Sequence, residues 1–205
     1  MEQTTYDYPL GLPEQSAVQQ EEVSRARNAV ASQRIYSSVF KWVPEEYYSF
    51  PLSKRAEILG AHSTFQLCKS MLMENKSFDA SIGNESRFYL VMLQYETSIN
   101  NKKLQSEVRA LRPVANRLDS SKYDFRVASA EDNDRLTGYS HNAVTPFGML
   151  VNVPIILAKG IVDNSDMIQF IWMGGGHIHC KVGMAVSDFI RVKKPLVLDV
   201  TDTRP

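Results

Sequence analysis

Lys69 is the first residue that could do chemistry, because it lies in the middle of a predicted buried strand at residues 65–73. The apolar members of that strand are Phe65, Leu67, Cys68, Met71, Leu72 and Met73. Burying an ammonium group is costly, so lysines in apolar strands either extend to solvent or serve a site. From the residues alone, a lysine that reaches solvent is the simpler interpretation.

The segment at residues 138–149 contains the residue types that a sharp bend requires. Gly138 and Gly148 allow a positive φ, Pro146 fixes φ, and Asn142 is the non-glycine residue best suited to the left-handed region. The apolar members of the segment, which favour burial, are Tyr139, Val144, Phe147 and Met149. A loop that must both bend and pack is typical of a binding loop, although a tight connection between two strands is the alternative.

Two histidines form a third candidate, since His177, His179 and Lys181 alternate with apolar residues and would share one strand face. Two ligands are too few for a zinc site, and no carboxylate or thiol stands at a suitable spacing. We therefore expect no metal and no other cofactor. The sequence also lacks a phosphate-binding loop and a Gly-x-Ser-x-Gly nucleophile motif, although a catalytic triad assembled in space stays open.

Four segments, in this order along residues 50–201, resemble the YbaK and prolyl-tRNA-synthetase-associated editing domain family. Residues 67–72 resemble the lysine-bearing strand of that family, and residues 138–149 resemble its substrate loop. Residues 174–176 resemble its glycine turn, and residues 186–190 resemble the start of its closing helix. The resemblance implies an enzyme that hydrolyses amino acids wrongly attached to tRNA.

The resemblance also implies a chemistry in which the protein supplies no nucleophile. Backbone donors in the glycine loops would polarise the ester carbonyl, water or a group of the substrate would attack it, and Lys69 would be the catalytic residue. The implied substrate-binding residues are Ser70, Gly138, Tyr139, His141, Asn142, Ala143, Val144, Thr145, Pro146, Phe147, Gly148, Gly174, Gly175, Gly176 and His177. The family commonly has glycine where this chain has Asn142, and the larger side chain could narrow the pocket.

Two functions follow from the resemblance. The first is a trans-acting deacylase that clears mischarged tRNA of the proline type. Ala143, Gly148 and Gly174 leave room only for a small amino acid such as Cys or Ala, with Phe147 and Met149 as pocket walls. The alternative is a non-catalytic module of a multi-synthetase complex that binds a tRNA end or a synthetase.

The predicted fold class is α/β with an α+β-like order of elements, namely a mixed, curved, barrel-like β-sheet wrapped by helices. We expect two units, an N-terminal arm and helix at residues 1–45 and the editing domain at residues 46–205. The predicted helix at residues 14–39 either covers the core or docks another protein. Ser129 is expected to cap a helix that ends at Gly138, and Ser187 is expected to cap the closing helix.

The chain has 205 residues, with 23 basic and 23 acidic side chains. A protein that coats long nucleic-acid duplexes normally has a basic excess, so this balance argues against such a role. It still allows a local contact with aminoacyl-tRNA. The most basic segment, residues 102–117, is expected to be a solvated face, with a tRNA backbone contact as the alternative. Two cysteines build no disulfide framework, and no secretory signal or membrane span is apparent. We therefore expect a cytoplasmic monomer or homodimer, with synthetases as candidate partners and no membrane contact.

Overall fold

The computed structural model describes residues 17–82, 86–163 and 169–204. Its α-helices are α1 (Ala17–Ser32), α2 (Leu52–Leu59), α3 (Asn101–Ala110), α4 (Ala130–Thr137), α5 (Lys159–Asp163) and α6 (Val186–Lys193). Its strands are β1 (Val39–Trp42), β2 (Cys68–Asn75), β3 (Phe88–Gln94), β4 (Thr97–Ile99), β5 (Phe125–Val127), β6 (Ile155–Ala158), β7 (Phe170–His177), β8 (Cys180–Ala185), β9 (Leu196–Leu198) and β10 (Thr201–Thr203). No helix in these ranges is long and apolar enough to cross a membrane.

The main sheet has five strands in the order β5-β2-β3-β6-β9. The pairs β5-β2 and β2-β3 are antiparallel, whereas β3-β6 and β6-β9 are parallel, so the sheet is mixed. A second, antiparallel sheet has the order β1-β8-β7, and β10 pairs with β4 in a third. A single parallel bridge between Leu67 and Trp172 joins the start of β2 to β7. The fold is therefore mixed α and β as expected, but no closed barrel is found among the described strands.

The core is built around β3, whose residues Leu90, Val91, Met92 and Leu93 are completely buried. Strands that are apolar on both sides need cover on both faces. Buried side chains from α3 and α6 contribute to the same cluster, among them Leu104, Val108 and Phe189. The N-cap that the sequence predicts for α4 is present, since Ser129 accepts a hydrogen bond from a backbone amide, and Asn100 caps α3 by accepting from two backbone amides.

The N-terminal helix is shorter than predicted, because the chain turns at Arg34, which has φ of 53°. Val39 belongs to β1 and lies opposite Gly183 of β8, as suits a β-branched residue followed by aromatic ones. Residues 14–16 of the predicted helix lie outside the described ranges. The described part of α1 buries Val23, Ala26 and Val30, so it covers the core. A separate docking unit at residues 1–45 stays a prediction.

Two further local predictions are wrong. The three glycines at residues 174–176 do not form a turn; they lie within β7, which continues to His177 with an irregularity in its register. Glycine has no side chain, so the strand can pass close to other backbone there. The N-cap of α6 is Ala185 rather than Ser187, and Ala185 makes no side-chain capping bond. The first turn of α6 is instead fixed from outside, where the Ser37 hydroxyl donates to Asp188 at 2.6 Å.

Candidate functional site

The segment at residues 138–149, called the substrate loop below, bends at three residues with positive φ. Gly138 has φ of 70° and ends α4, and Gly148 has φ of 72°. Asn142 has φ of 64°, the left-handed conformation that its side chain tolerates better than most. The bend therefore survives the replacement of glycine by asparagine at this position.

Arg25 of α1 connects the two ends of the substrate loop. Its Nε donates to the carbonyl oxygen of Gly148 at 2.8 Å, and its Nη2 donates to the carbonyl oxygen of Gly138. The guanidinium also lies 4.6 Å from the centre of the Tyr139 ring. Inside the loop, the Tyr139 hydroxyl donates to the Phe147 carbonyl at 2.6 Å. Bidentate contacts of arginine are geometrically strict, so α1 fixes how wide the loop opens.

The glycines of β7 provide the floor against which the loop packs. The amide of Gly176 donates to the carbonyl of Ala143 at 3.2 Å. A Cβ atom on Gly174 would lie 3.0 Å from the Ala143 carbonyl oxygen and would overlap the Val144 carbonyl oxygen. Glycine is thus needed at residue 174 because two stretches of backbone approach each other directly. The substrate loop and the glycine segment at residues 174–176 are therefore in contact, and both are among the four segments that resemble the family.

A buried lysine holds the bend of the loop through a tyrosine. Lys181 of β8 is 4% exposed, and its Nζ donates to the Tyr48 hydroxyl at 2.7 Å and to the Ile178 carbonyl at 2.8 Å. The Tyr48 hydroxyl in turn donates to the carbonyl of Asn142 at 3.1 Å. Burial lowers the pKa of Lys181 to about 7. Lys181 and Tyr48 therefore form a chain of hydrogen bonds that ends at the residue with the strained backbone.

Lys69 is half-buried in β2, and its Nζ lies 5.6 Å from the centre of the Tyr95 ring. Burial, with a smaller contribution from the charge of Arg204, lowers the pKa of Lys69. Tyr95 is hydrogen-bonded to Tyr48 through the side chains. The predicted catalytic lysine is thus connected to Asn142 of the substrate loop through two tyrosines, rather than by a direct contact.

A small cavity of about 20 Å³ lies among these groups. It is lined by Tyr47, Tyr48, Leu59, Leu67, Cys68, Tyr95, Trp172, Met173, Gly174 and Lys181. Such a volume holds about one water molecule or a group of similar size. Burial raises the pKa of the Cys68 thiol to about 12, so this thiol stays protonated and is a poor nucleophile.

Two hydroxyl groups of predicted site residues are free to bind a ligand. Ser70 Oγ and Thr145 Oγ1 are buried and have no hydrogen-bond partner within the part of the chain that the structure describes. A buried hydroxyl without a partner is unfavourable by roughly 1–3 kcal/mol. One comes from the lysine strand and the other from the substrate loop, so both lie on elements of the predicted site.

Several predicted site residues occupy places other than the pocket. Phe147 is completely buried and packs edge-to-face on Phe189 at 6.1 Å, so it belongs to the core and does not line the small cavity. Met149 does not line it either, and aromatic residues supply the walls instead. His141 is exposed at the loop surface, whereas Tyr139 and Pro146 are buried in the loop.

The histidine pair has a different geometry from the one predicted. His177 ends β7 and His179 lies in the turn before β8, so they do not share a strand face. His179 donates its backbone amide to His177 Nδ1 at 3.1 Å, and the rings lie 5.4 Å apart. A search of the described residues finds no group of three or more His, Cys, Asp or Glu side chains that could hold a metal ion.

Sequence reasoning missed Arg25, Tyr48, Tyr95 and Lys181. A signal was present for Lys181, because it stands in the apolar strand β8 just as Lys69 stands in β2. The other three carry no local signal, since their roles depend on elements that are distant in sequence: the bond of Arg25 to Gly148 spans 123 residues, and that of Tyr48 to Asn142 spans 94.

Comparison with known protein families identifies the family to which this chain belongs. The family model of the aminoacyl-tRNA editing domain matches residues 53–192, which include Lys69, the substrate loop and the glycines of β7. The chain belongs to this family. A comparison with curated proteins gave no match.

Solved structures agree on the fold of this editing domain. One, described as a "putative trans-editing enzyme for prolyl tRNA synthetase", has a TM-score of 0.67 and 15% identity and covers 92% of this chain and 99% of its own. A scaffold protein from computational epitope grafting has the same TM-score and identity, with 89% and 98% covered. A hypothetical protein has a TM-score of 0.63 at 14% identity, with 87% and 99% covered. At such identities the likeness concerns the fold alone.

Proposed function

We propose that this editing domain is a trans-acting deacylase that hydrolyses the ester between a small amino acid and the 3′ end of a mischarged tRNA. Family membership supports the editing of aminoacyl-tRNA in general. The observation that carries the narrower proposal is the cavity of about 20 Å³ beside Gly174 and Tyr95. It has room for a methyl or thiol group, which favours Ala or Cys, and the acceptor is proposed to be tRNA of the proline type in the cytoplasm.

The proposed reaction needs no nucleophile from the protein. A water molecule adds to the carbonyl carbon of the ester, and the resulting tetrahedral intermediate breaks the bond to the ribose oxygen. The ribose oxygen takes up one proton of that water and leaves with the tRNA, the second proton passes to the solvent, and the amino acid leaves as a carboxylate. Cys68 is unsuited to attack because its thiol stays protonated, which is consistent with water as the nucleophile.

In this proposal Lys69 stabilises the negative charge that develops on the carbonyl oxygen, or holds the end of the tRNA by its charge. Its contact with the Tyr95 ring keeps the ammonium near the cavity. The unpartnered hydroxyls of Ser70 and Thr145 are available to hydrogen-bond polar groups of the aminoacyl ester. Holding these groups in fixed positions around a bound ester supplies much of the rate.

A panel of charged tRNAs tests the proposal. The same tRNA carries Ala, Cys, Ser or Pro, with Phe or Ile as large controls, and the release of the amino acid is followed over time. Ala and Cys should be released fastest, and close analogues more slowly, because one methylene in an apolar pocket discriminates by only about 1–3 kcal/mol. Faster release of Phe or Ile would mean that the small cavity does not hold the side chain. Binding of the tRNA without any release would favour the alternative of a non-catalytic tRNA-end or synthetase-binding module.

A further inference from the structure

A second, much larger depression lies beside the C-terminal half of the substrate loop. This groove has a volume of about 770 Å³, within the range of roughly 300–1,000 Å³ that is usual for ligand sites. Pro146 and Gly148 of the loop line this groove. Gln33, which follows α1, and Lys193 and Lys194 at the end of α6 also line it. The loop that contacts Gly174 at the small cavity therefore also lines the groove.

Lys193 gives the groove a positive charge that the described part of the protein does not neutralise. Its Nζ lies 4.3 Å from the centre of the Phe147 ring, and the side chain is half-buried. Burial lowers the pKa of Lys193 to about 8, and no carboxylate contributes to it. Lys194, the next residue, is exposed and has no ion pair in the described ranges. A partly desolvated ammonium without a counter-charge is unfavourable, and an anion in the groove would compensate it.

The remaining walls suit a sugar or a base next to that anion. Gln33 Oε1 is buried, has no hydrogen-bond partner within the described residues, and can accept from a ribose hydroxyl. Leu150 and Val151 are 60% and 43% exposed, which is high for large apolar residues at a loop. Together with the lysines, these features match a chain of nucleotides, in which phosphates alternate with sugar and base faces.

The basic segment at residues 102–117 matches such a ligand less well. Lys103 forms ion pairs with Asp199 at 3.1 Å and with Asp202 at 3.0 Å. Arg109 donates to the Leu118 carbonyl at 2.7 Å. These cations already bind oxygen atoms of the protein, whereas Lys193 and Lys194 form no ion pair or side-chain hydrogen bond within the described residues.

We propose that the groove binds the phosphodiester backbone of the single-stranded 3′ end of the tRNA, with Lys193 and Lys194 on phosphates and Gln33 on a ribose. This assignment rests on the proposed function, since it places the nucleotides that precede the ester. The substrate loop, which lines the groove and packs on Gly174 of the cavity wall, would then position the ester relative to Lys69.

Binding of uncharged RNA tests the groove independently of hydrolysis. The probe is a fluorescent RNA hairpin with a single-stranded 3′ end, and its affinity is measured by anisotropy at several salt concentrations. The variants are Lys193→Met, which keeps the apolar stem over Phe147, and its combination with Lys194→Gln. Lys159→Gln is the matched control, because Lys159 follows the far end of β6 and pairs with Asp163 at 2.5 Å. A hairpin without the overhang, adenosine monophosphate and inorganic phosphate distinguish the tRNA end from a free nucleotide or ion.

The double variant should bind the overhang hairpin at least about fivefold more weakly, and the slope of log affinity against log salt should fall by about 1.4, the loss of two phosphate contacts on a single strand. Lys159→Gln should bind the overhang hairpin as tightly as the wild type does. The affinity for the blunt hairpin should be the same in the wild type and in the double variant. Unchanged affinity and slope in the double variant would overturn the proposal, as would the absence of wild-type binding or equal weakening by Lys159→Gln. If adenosine monophosphate binds tightly and the overhang hairpin does not bind, the ligand of the groove is a free nucleotide and the assignment to the tRNA end is wrong. None of these results alters the deacylation assay, so the groove can fail while the proposed function stands.

Discussion

Replacing Lys181 by Met should change how the stability of the protein depends on pH. The ammonium of Lys181 is 4% exposed, and burial is the largest cause of its lowered pKa; Cys180 opposes the shift and Arg55 adds to it. Since the folded-state pKa is about 7 and the ordinary value is 10.5, the unfolded chain binds more protons between these two pH values. The free energy of unfolding therefore rises with pH in this window, and the charged form is the destabilised one.

The magnitude follows from that pKa. A folded-state pKa of about 7 predicts that Lys181 alone makes the wild type more stable by about 2 kcal/mol at pH 9 than at pH 7. Lys181→Met removes this contribution while keeping a side chain of similar size, so the variant should gain most relative to wild type near pH 6–7 and least near pH 9.

Urea denaturation at pH 6, 7, 8 and 9 measures the difference between wild type and variant at each pH. Lys54→Met is the control, because Lys54 is about half exposed on α2 and pairs with Glu57. If the difference in the free energy of unfolding between wild type and Lys181→Met does not change with pH, the pKa of Lys181 is not lowered in the folded protein. The same pH dependence in Lys54→Met would show that the effect is general to lysines in this protein.

Three further predictions concern the site itself. Lys69→Ala should lower kcat/KM for deacylation at least about tenfold, or about 1.4 kcal/mol in the transition state, with an unchanged circular dichroism spectrum; wild-type rates in the folded variant would remove Lys69 from the mechanism. Arg25→Met should lower kcat/KM several-fold and speed amide hydrogen exchange in the substrate loop, because the Gly138 and Gly148 carbonyls lose their common donor; exchange equal to wild type would contradict that role. Treatment with a chelator should leave the deacylation rate intact, and a stoichiometric metal that is lost together with activity would overturn the metal-free chemistry.

The sequence predicted elements whose signals are local. The strand around Lys69 and the cap at Ser129 follow from an apolar run and a short-range hydrogen bond, and both are present. The left-handed conformation of Asn142 was equally readable, because few other residue types suit it.

The parts that the sequence did not predict depend on contacts between distant segments. The glycines at residues 174–176 belong to β7 rather than to a turn, with Gly176 at φ of 93°, and the backbone of Ala143 and Val144 packs against Gly174. The walls of the small cavity come from six separate stretches of chain, so no single pattern marks Tyr48 or Tyr95 as neighbours of Lys69. The sequence predicts Phe147 as a wall of the pocket, but in the structure Phe147 packs in the core against Phe189 of α6.

The rate at which the protein releases alanine from alanine-charged tRNA of the proline type is the decisive test of the proposed deacylase activity. Wild-type protein should release it well above the spontaneous rate and leave the proline-charged tRNA largely intact, and Lys69→Ala should return the rate towards the spontaneous one. Spontaneous rates with wild-type protein on every charged tRNA of the panel would mean that the protein is not a deacylase.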